Sequence, residues 1–202
     1  MSIQTFTRPL IARTLFGFGL GALLFLLSSF LLASARADTP AFQTYTQRDG
    51  LAADYVTGIA FAPDGAVWIA TPRGATRVQD KYWVTYTAAN GLSNSWVSGI
   101  AVAADGKPYL ATNGGGLNVF DGAIRKTYNA PSSSIPSNYL TAVAIDKQNR
   151  AWVGTYGAGV ARLVGEAWTR EGVALANNYI NALALAANGN PMSHRGLPPQ
   201  SG

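Results

Sequence analysis

Residues 134–170 read SIPSNYLTAVAIDKQNRAWVGTYGAGVARLVGEAWTR, and their pattern is the clearest indication of the fold. The alternating apolar run from Leu140 to Ile145 is typical of a β-strand. Gln148-Asn149 suits a hairpin turn, because asparagine tolerates a positive φ. A second strand follows at Trp152-Val-Gly-Thr155, then a glycine turn, a third strand and a fourth strand ending in Trp168-Thr-Arg170. The stretch therefore predicts four short antiparallel strands joined by tight turns.

The same unit occurs twice earlier in the chain. One copy from Gly50 reads GLAADYVTGIAFAPDGAVWIATPRGATRVQDKYWVTY, and another from Gly91 reads GLSNSWVSGIAVAADGKPYLATNGGGLNVFDGAIRKTY. A fourth unit begins with ALANNYINALALAANGN and stops. Equivalent first-strand residues are 41, 43 and 40 positions apart, namely Val56, Val97, Leu140 and Ile180. A period of ~40–45 residues with four strands is typical of one blade of a β-propeller.

We therefore predict an all-β chain, a β-propeller of four-stranded antiparallel blades preceded by an N-terminal hydrophobic helix. Phe42-Gln-Thr-Tyr45 matches a fourth strand, as in propellers whose N-terminal outer strand completes the last blade. Closed propellers need ~4–8 blades, so we expect a fragment of a longer protein, a truncated or frameshifted copy, or a chain that closes with a partner. The predicted segments are the leader at 1–37, the repeats at 38–190, with blades at about 42–86, 87–128 and 129–170 and a partial one at 171–190, and an irregular tail at 191–202.

The N-terminal segment predicts export. Two arginines precede an uncharged stretch from Thr14 to Ala35, and Ala35-Arg36-Ala37 resembles a signal-peptidase site. The stretch is also long enough to span a bilayer, which takes ~20 residues. A cleaved signal peptide and an uncleaved membrane anchor therefore both remain open. Either one places the chain after Asp38 outside the cytoplasm, in the periplasm or at the cell surface.

Composition excludes several classes of function. Charged residues make up only 12% of the chain and there is no cysteine, so disulfide frameworks and thiolate metal sites are excluded. The net charge of +5 falls to +2 from Asp38 onward, and no basic run remains there. We therefore expect no nucleic-acid partner.

Catalytic chemistry has no obvious carrier in this sequence. His194 is the only histidine, and it lies in the predicted tail. Asp64 and Asp105 stand at repeated turns, where hydrogen bonds to the local backbone explain them. The glycines of Asn113-Gly-Gly-Gly-Leu117 join two predicted strands, whereas a phosphate cradle leads into a helix. We therefore expect no catalytic residues, no metal site, no cofactor and no enzymatic activity.

A recurring aromatic position is the candidate ligand site. An aromatic residue precedes each predicted first strand, and an asparagine lies nearby in three of the four units. If the first strands line a central channel, these side chains lie at its entrance and suit stacking on sugar rings or gripping an extended peptide. Packing between blades is the alternative for the aromatic residues. The candidate residues are Tyr55, Trp96, Tyr139, Tyr179, Asn94, Asn138 and Asn178.

Four tryptophans recur in the second and fourth strands, and we predict that they pack in the core. They are Trp68, Trp83, Trp152 and Trp168.

The third unit resembles the two-component regulator propeller repeat, through residues Ile135–Asp146 followed by Ala151–Val160. The other units resemble it at Asp64–Thr71 and Ala111–Leu117. The resemblance implies the periplasmic input domain of a sensor histidine kinase, which binds a glycan or another small ligand. The chain lacks the kinase core and has too few blades for that complete architecture.

We therefore predict an extracytoplasmic ligand-binding sensor propeller, a fragment lacking the kinase. Its expected partners are a small-molecule or glycan ligand, another protein, and a sensor histidine kinase; an uncleaved leader adds the membrane. Two alternatives remain. One is a propeller lyase or hydrolase of the streptogramin-lyase class, and the other is a structural protein-interaction propeller.

Overall fold

The computed structural model describes residues 42–121, 124–171, 178–186 and 191–192. They form three four-stranded antiparallel sheets, each with its strands in sequence order, and one two-stranded sheet. This confirms the predicted all-β architecture of three four-stranded units. We refer to the three sheets as blades 1, 2 and 3.

Blade 1 contains β1 (Gly58–Phe61), β2 (Val67–Thr71), β3 (Gly74–Gln79) and β4 (Tyr82–Tyr86). Blade 2 contains β5 (Val97–Val102), β6 (Pro108–Thr112), β7 (Gly116–Asp121) and β8 (Ile124–Tyr128). Blade 3 contains β9 (Leu140–Ile145), β10 (Ala151–Thr155), β11 (Val160–Val164) and β12 (Ala167–Arg170). The two-stranded sheet pairs β13 (Ala184–Leu185) with β14 (Pro191–Met192).

The turn between the first and second strands has the predicted chemistry in all three blades. Gly65, Gly106 and Asn149 have φ values of 83°, 86° and 61°, a region that favours glycine and asparagine. Asp64 Oδ1 accepts a hydrogen bond from the Ala66 amide at 3.0 Å, and Asp105 Oδ1 accepts one from the Lys107 amide at 3.2 Å. The two aspartates are therefore turn residues, as predicted.

Neighbouring blades pack large side chains against small ones. Ile100 of β5 and Leu110 of β6 are buried in a cluster that includes Ala70 and Ala75 of blade 1. A second cluster joins blades 2 and 3, with Leu140 packed in the same way near Ala111. The predicted packing role of the tryptophans is confirmed for three of them, because Trp68, Trp152 and Trp168 are buried. Trp83 is half-buried and its ring lies 5.3 Å from that of Tyr45.

A hydroxyl hydrogen bond recurs between successive first strands. Thr57 Oγ1 donates to the Val97 carbonyl at 2.6 Å, and Ser98 Oγ donates to the Leu140 carbonyl at 2.6 Å. Thr141 Oγ1 donates to the Ile180 carbonyl in the same manner. Each donor directly follows the equivalent apolar residue of its own unit, as Thr57 follows Val56. Each acceptor is the equivalent apolar residue of the next unit. The first strands therefore lie side by side, as they do where blades converge on a common axis.

Two segments outside the blades bear on the predicted boundaries. Residues 42–46 are assigned to no strand in the described part of the chain. A β-strand requires a ladder partner, so the match of Phe42–Tyr45 to a fourth strand whose closing partner is missing stays a prediction. Pro191–Met192, at the start of the predicted irregular tail, pairs with β13, and the rest of that tail lies outside the described residues.

The chain divides into two units, residues 1–43 and 44–202. Phe42 and Gln43 are the described residues of the first unit, and the blades belong to the second. The predicted leader at 1–37 lies outside the described residues, as do residues 193–202 with His194. Within the described residues, no helix has the length and apolar character needed to cross a membrane.

Candidate functional site

One end of the blade array carries all four aromatic residues of the predicted site. The start of each first strand pairs with the end of the second strand, as Val97 does with Thr112, so the turn after the second strand lies at the same end. We call this the entry end. Its aromatic side chains are exposed by half or more, with Tyr55 at 72%, Trp96 at 50%, Tyr139 at 57% and Tyr179 at 52%. The structure therefore places each of these rings at the surface and buries none of them.

Tyr139 rests on the glycine turn of the preceding blade. A Cβ atom on Gly114 would lie 3.5 Å from Tyr139 Cε1 and 3.5 Å from Asn94 Nδ2. The Asn138 carbonyl accepts hydrogen bonds from the Gly114 amide at 3.0 Å and the Gly116 amide at 2.9 Å, which joins blade 3 to blade 2. Gly114 has no side chain, so the turn leaves room for both Tyr139 and Asn94 to approach it.

Tyr179 repeats this arrangement on blade 3. Its Cε1 would lie 3.8 Å from a Cβ on Gly157, and the Asn178 carbonyl accepts from the amides of Gly157 at 3.2 Å and Gly159 at 3.0 Å. Tyr179 also meets Tyr156 edge to face, with ring centroids 4.6 Å apart. Tyr156 is 67% exposed and was not predicted. The equivalent residues in the other units are Pro72 and Asn113, so the repeat contains no signal for it.

The asparagines at the entry end stabilise the local backbone. Asn94 Oδ1 accepts from the Trp96 amide at 2.8 Å, and Asn138 Oδ1 accepts from the Ala130 amide at 2.7 Å. Asn178 is exposed and joins the turn through its backbone carbonyl. The Asn94 side-chain amide also approaches the Gly114 turn on which Tyr139 rests.

The opposite end of blades 1 and 2 is charged. A cleft of about 360 Å³ lies there between the two blades. Arg77 pairs with Asp64 at 2.7 Å, and Lys107 pairs with Asp105 at 3.3 Å and Asp121 at 3.2 Å. The hydrogen bond from the Ala66 amide, followed by the one from Arg77, lowers the pKa of Asp64. Hydrogen bonds to Asp121 and Asp105 raise the pKa of Lys107.

These charges are arranged in pairs and not as a set of metal ligands. Among the described residues, no group of three or more histidine and carboxylate side chains is placed to hold a metal ion. The most buried carboxylate is Asp146 of blade 3, which accepts from Trp152 Nε1 at 3.0 Å and from Arg150 Nε at 2.7 Å. Desolvation raises the pKa of Asp146, but the hydrogen bonds from Trp152 and Arg150 outweigh it, and the net pKa is lowered.

Comparison with known protein families identifies the repeat. Residues 134–157 match the family model described as two component regulator propeller. Residues 134–157 are therefore similar to one two component regulator propeller repeat. The matched residues include the Asn138–Leu140 entry segment, β9, β10 and the Gly157 turn, so the segment that carries Tyr139 and Tyr156 is the one that matches. No curated protein sequence matches the chain significantly.

Solved structures show a fold similar to that of the three blades. The extracellular domain of the hybrid two component system BT3049 from B. thetaiotaomicron matches with a TM-score of 0.62 and 18% identity, over 74% of this chain and 22% of that one. The extracellular domain of BT4673 from the same organism matches with a TM-score of 0.60 and 16% identity, over 72% and 22%. The chain spans about a fifth of the length of these structures.

A virginiamycin B lyase from Staphylococcus aureus, in a catalytically inactive form with quinupristin, is also similar. Its TM-score is 0.50 and its identity 14%, over 71% of this chain and 56% of the lyase. At such identities the likeness concerns the fold alone. The function of the three blades therefore has to be argued from their own surface.

Proposed function

We propose that this chain is an extracytoplasmic sensor propeller module that binds a glycan or another small ring-bearing ligand at its entry end. The observation that carries the proposal is the repeated, half-exposed aromatic residue, held on a glycine turn of the preceding blade in the cases of Tyr139 and Tyr179. Flat aromatic surfaces held by backbone contacts suit stacking on a sugar ring. The Asn94 amide, close to the Gly114 turn on which Tyr139 rests, supplies a hydrogen-bond donor for a hydroxyl group.

Tyr156 strengthens this proposal because it does not follow the repeat. A ring needed only for blade packing would be buried, yet Tyr156 is 67% exposed and contacts Tyr179. Tyr156 and Tyr179 place two exposed rings in contact with each other at the entry end of blade 3. The ligand is therefore expected to contact blade 3 and the segment that follows it most closely.

We propose binding without catalysis. In support, Asp64, Asp105 and Asp121 at the charged cleft are ion-paired with Arg77 or Lys107, so their negative charge is already compensated. A general acid or base needs a perturbed pKa that keeps it ready to exchange a proton near neutral pH. The lowered pKa of Asp64 instead keeps this carboxyl ionised.

We further propose that the module lies outside the cytoplasm, delivered by the leader, and that it is part of a larger sensor ring whose signal passes to a histidine kinase. The resemblance to extracellular domains of hybrid two component systems supports this placement. Three blades and a short fourth sheet would supply part of such a ring.

The test is carbohydrate binding by the full chain in mild detergent. A labelled sample is applied to an array of plant and host oligosaccharides, and each glycan that binds is titrated in solution by tryptophan fluorescence. We expect Trp96→Ala and Tyr139→Ala to weaken binding by about tenfold or more, which corresponds to ~1.4 kcal/mol. Tyr82→Ala is the matched control, because Tyr82 is 66% exposed on β4 and away from the entry end.

The melting temperature separates binding from packing. Both site variants should keep it within about 2 °C, since surface truncations have small effects on stability. If Trp96→Ala and Tyr139→Ala cost several kcal/mol of stability instead, or if binding is as strong as in Tyr82→Ala, the site assignment is wrong.

A further inference from the structure

The first strand of blade 1 exposes apolar side chains that are covered in the other blades. Val56 is 39% exposed, whereas its equivalents Val97 and Leu140 are 0% and 1% exposed. Ile59 is 57% exposed, whereas its equivalent Ile100 is 9% exposed. Phe61, on the same side of β1, is 77% exposed. We call the surface formed by Val56, Ile59 and Phe61 the open face.

The other blades show what kind of surface covers this face. A Cβ atom on Gly58 would lie 3.5 Å from Ile100 Cγ2, so the first strand of blade 1 presses a glycine against the large residue of blade 2. Gly99 makes the same approach to blade 3, at 3.5 Å from Ala142 Cα and the Val143 amide nitrogen. Each interface therefore brings a glycine of one blade close against the first strand of the next blade, and a Thr or Ser hydroxyl bond lies beside it.

The other end of the array offers the complementary surface. Ala182 and Ala184 stand at the positions of Gly58 and Ala60 in the repeat, and both are exposed. Asn181 stands at the position of the hydroxyl donors Thr57, Ser98 and Thr141, and it is exposed too. Its side-chain amide is a hydrogen-bond donor like those hydroxyls. The segment 178–186 thus presents small residues and a hydrogen-bond donor at the positions by which blade 1 contacts Ile100 of blade 2.

We propose that a second copy of this chain covers the open face. Ala182 and Ala184 of one copy pack against Ile59 and Phe61 of the other, and the Asn181 amide donates to the Val56 carbonyl. The contact is head to tail and continues the interface already present between blades 1 and 2 and between blades 2 and 3. Each copy presents both surfaces, so two such contacts join two copies into a ring provided that the rotation between them closes.

The number of blades fits this closure. The described residues of two copies contribute six four-stranded blades and two of the shorter sheets, and closed propellers contain ~4–8 blades. Closure also removes the exposed apolar side of blade 1, which would otherwise invite irregular association. The proposed dimer interface lies on the side of the blades and not at the entry end. It can therefore be tested independently of ligand binding.

The absence of cysteine in the sequence gives a direct test. Ile59→Cys and Ala182→Cys are made separately in the full chain with tags of different size, then mixed and oxidised in mild detergent. We expect a disulfide-linked pair containing one of each chain on a non-reducing gel, with the 59–182 bridge identified by mass spectrometry. Tyr82→Cys mixed with Ile59→Cys is the control for random collision, since Tyr82 is 66% exposed and lies on β4.

Sedimentation gives an independent readout. The unmodified chain should be a dimer, and Phe61→Glu should shift it to a monomer, while Tyr82→Glu leaves the dimer intact. The proposal is overturned if the 59–182 pair forms no faster than the Tyr82 control, if Ile59→Cys links to itself equally well, or if the unmodified chain is a monomer. A monomer that binds glycans would leave the proposed function intact and remove only this interface.

Discussion

Blades 1 and 3 have the same four-stranded topology but differ in what lies beside them. In blade 3 the first strand, β9, begins with Leu140, which is 1% exposed, and its other residues are half-buried. In blade 1 the strand β1 alternates between half-buried and exposed residues, and the Leu140 equivalent Val56 is 39% exposed. The repeat therefore specifies strands and turns, whereas burial comes from the neighbouring blade, as in other stacked repeat proteins.

The two blades also differ in how they hold a carboxylate. The side chain of Asp146 in blade 3 is fully buried and bonds to Arg150 Nε and Trp152 Nε1. Asp64 in blade 1 is half-exposed and pairs with Arg77 near the surface. Burial strengthens the dependence of a charged group on its partners, so these two carboxylates should contribute very differently to stability.

The largest expected difference concerns the first-strand apolar position. Leu140→Ala should lower the free energy of unfolding by about 2–5 kcal/mol, because it leaves a cavity in a covered interface. Val56→Ala should cost less than about 1 kcal/mol in dilute solution. Urea unfolding of the full chain in detergent, followed by tryptophan fluorescence, measures both.

Unfolding at several protein concentrations tests the difference between Val56→Ala and Leu140→Ala further. If a second copy covers the open face, the cost of Val56→Ala should rise with concentration, whereas that of Leu140→Ala should change little. Equal costs for the two variants at low concentration would mean that burial in this fold does not depend on the neighbouring blade.

The next difference concerns the two carboxylates. Asp146→Asn should destabilise the chain by about 3 kcal/mol, because it removes a buried charge on which Arg150 and Trp152 depend. Asp64→Asn should cost less than about 1 kcal/mol, as is usual for an ion pair at the surface. Thermal unfolding at neutral pH compares the two variants, and equal losses would contradict the assigned roles.

The dependence on pH has a defined sign. The pKa of Asp146 is lower in the folded chain than in the unfolded one, so the unfolded state binds the proton more readily. Its contribution to stability is therefore full above the unfolded pKa of ~3.9 and is lost as the pH falls through the folded pKa. Between about pH 5 and pH 2, the unmodified chain should lose more stability than Asp146→Asn does.

The sequence predicts much of the fold because strands and hairpins have local signals. The alternating run at Leu140–Ile145 and the turn residues Asp64-Gly65 are two examples, and both have the predicted structure. The role of Asp146 is different, since the equivalent residues are Ala62 and Ala103 and its bonds depend on how Arg150 and Trp152 fold around it. A pattern shared by all units cannot predict what one unit adds.

The same reasoning applies to the candidate site. Tyr139 occupies a periodic position before its strand, which could be predicted from the sequence. The surroundings of its ring depend on the Gly114 turn of another blade, which the repeat pattern does not describe. Tyr156 interrupts the repeat and has no periodic signal at all. Its contact with Tyr179 depends on two loops meeting at the entry end, which only the three-dimensional structure shows.

The smallest expected difference concerns the hydroxyl bonds between first strands. Thr57→Val keeps the shape of the side chain but removes the donor to the Val97 carbonyl, which belongs to a fully buried residue. Because a buried acceptor then lacks this partner, the free energy of unfolding should fall by about 1 kcal/mol.

Thr141→Val removes the equivalent bond to Ile180, but this bond holds only the short segment that leads to β13. Its effect should therefore be local, seen as faster hydrogen exchange around residues 178–186 with little change in the global transition. Thr169→Val on the exposed side of β12 is the control and should alter neither quantity. A global loss in Thr141→Val as large as that in Thr57→Val would show that β13 unfolds together with the complete blades, and the contrast between covered and open ends of the array would then have to be redrawn.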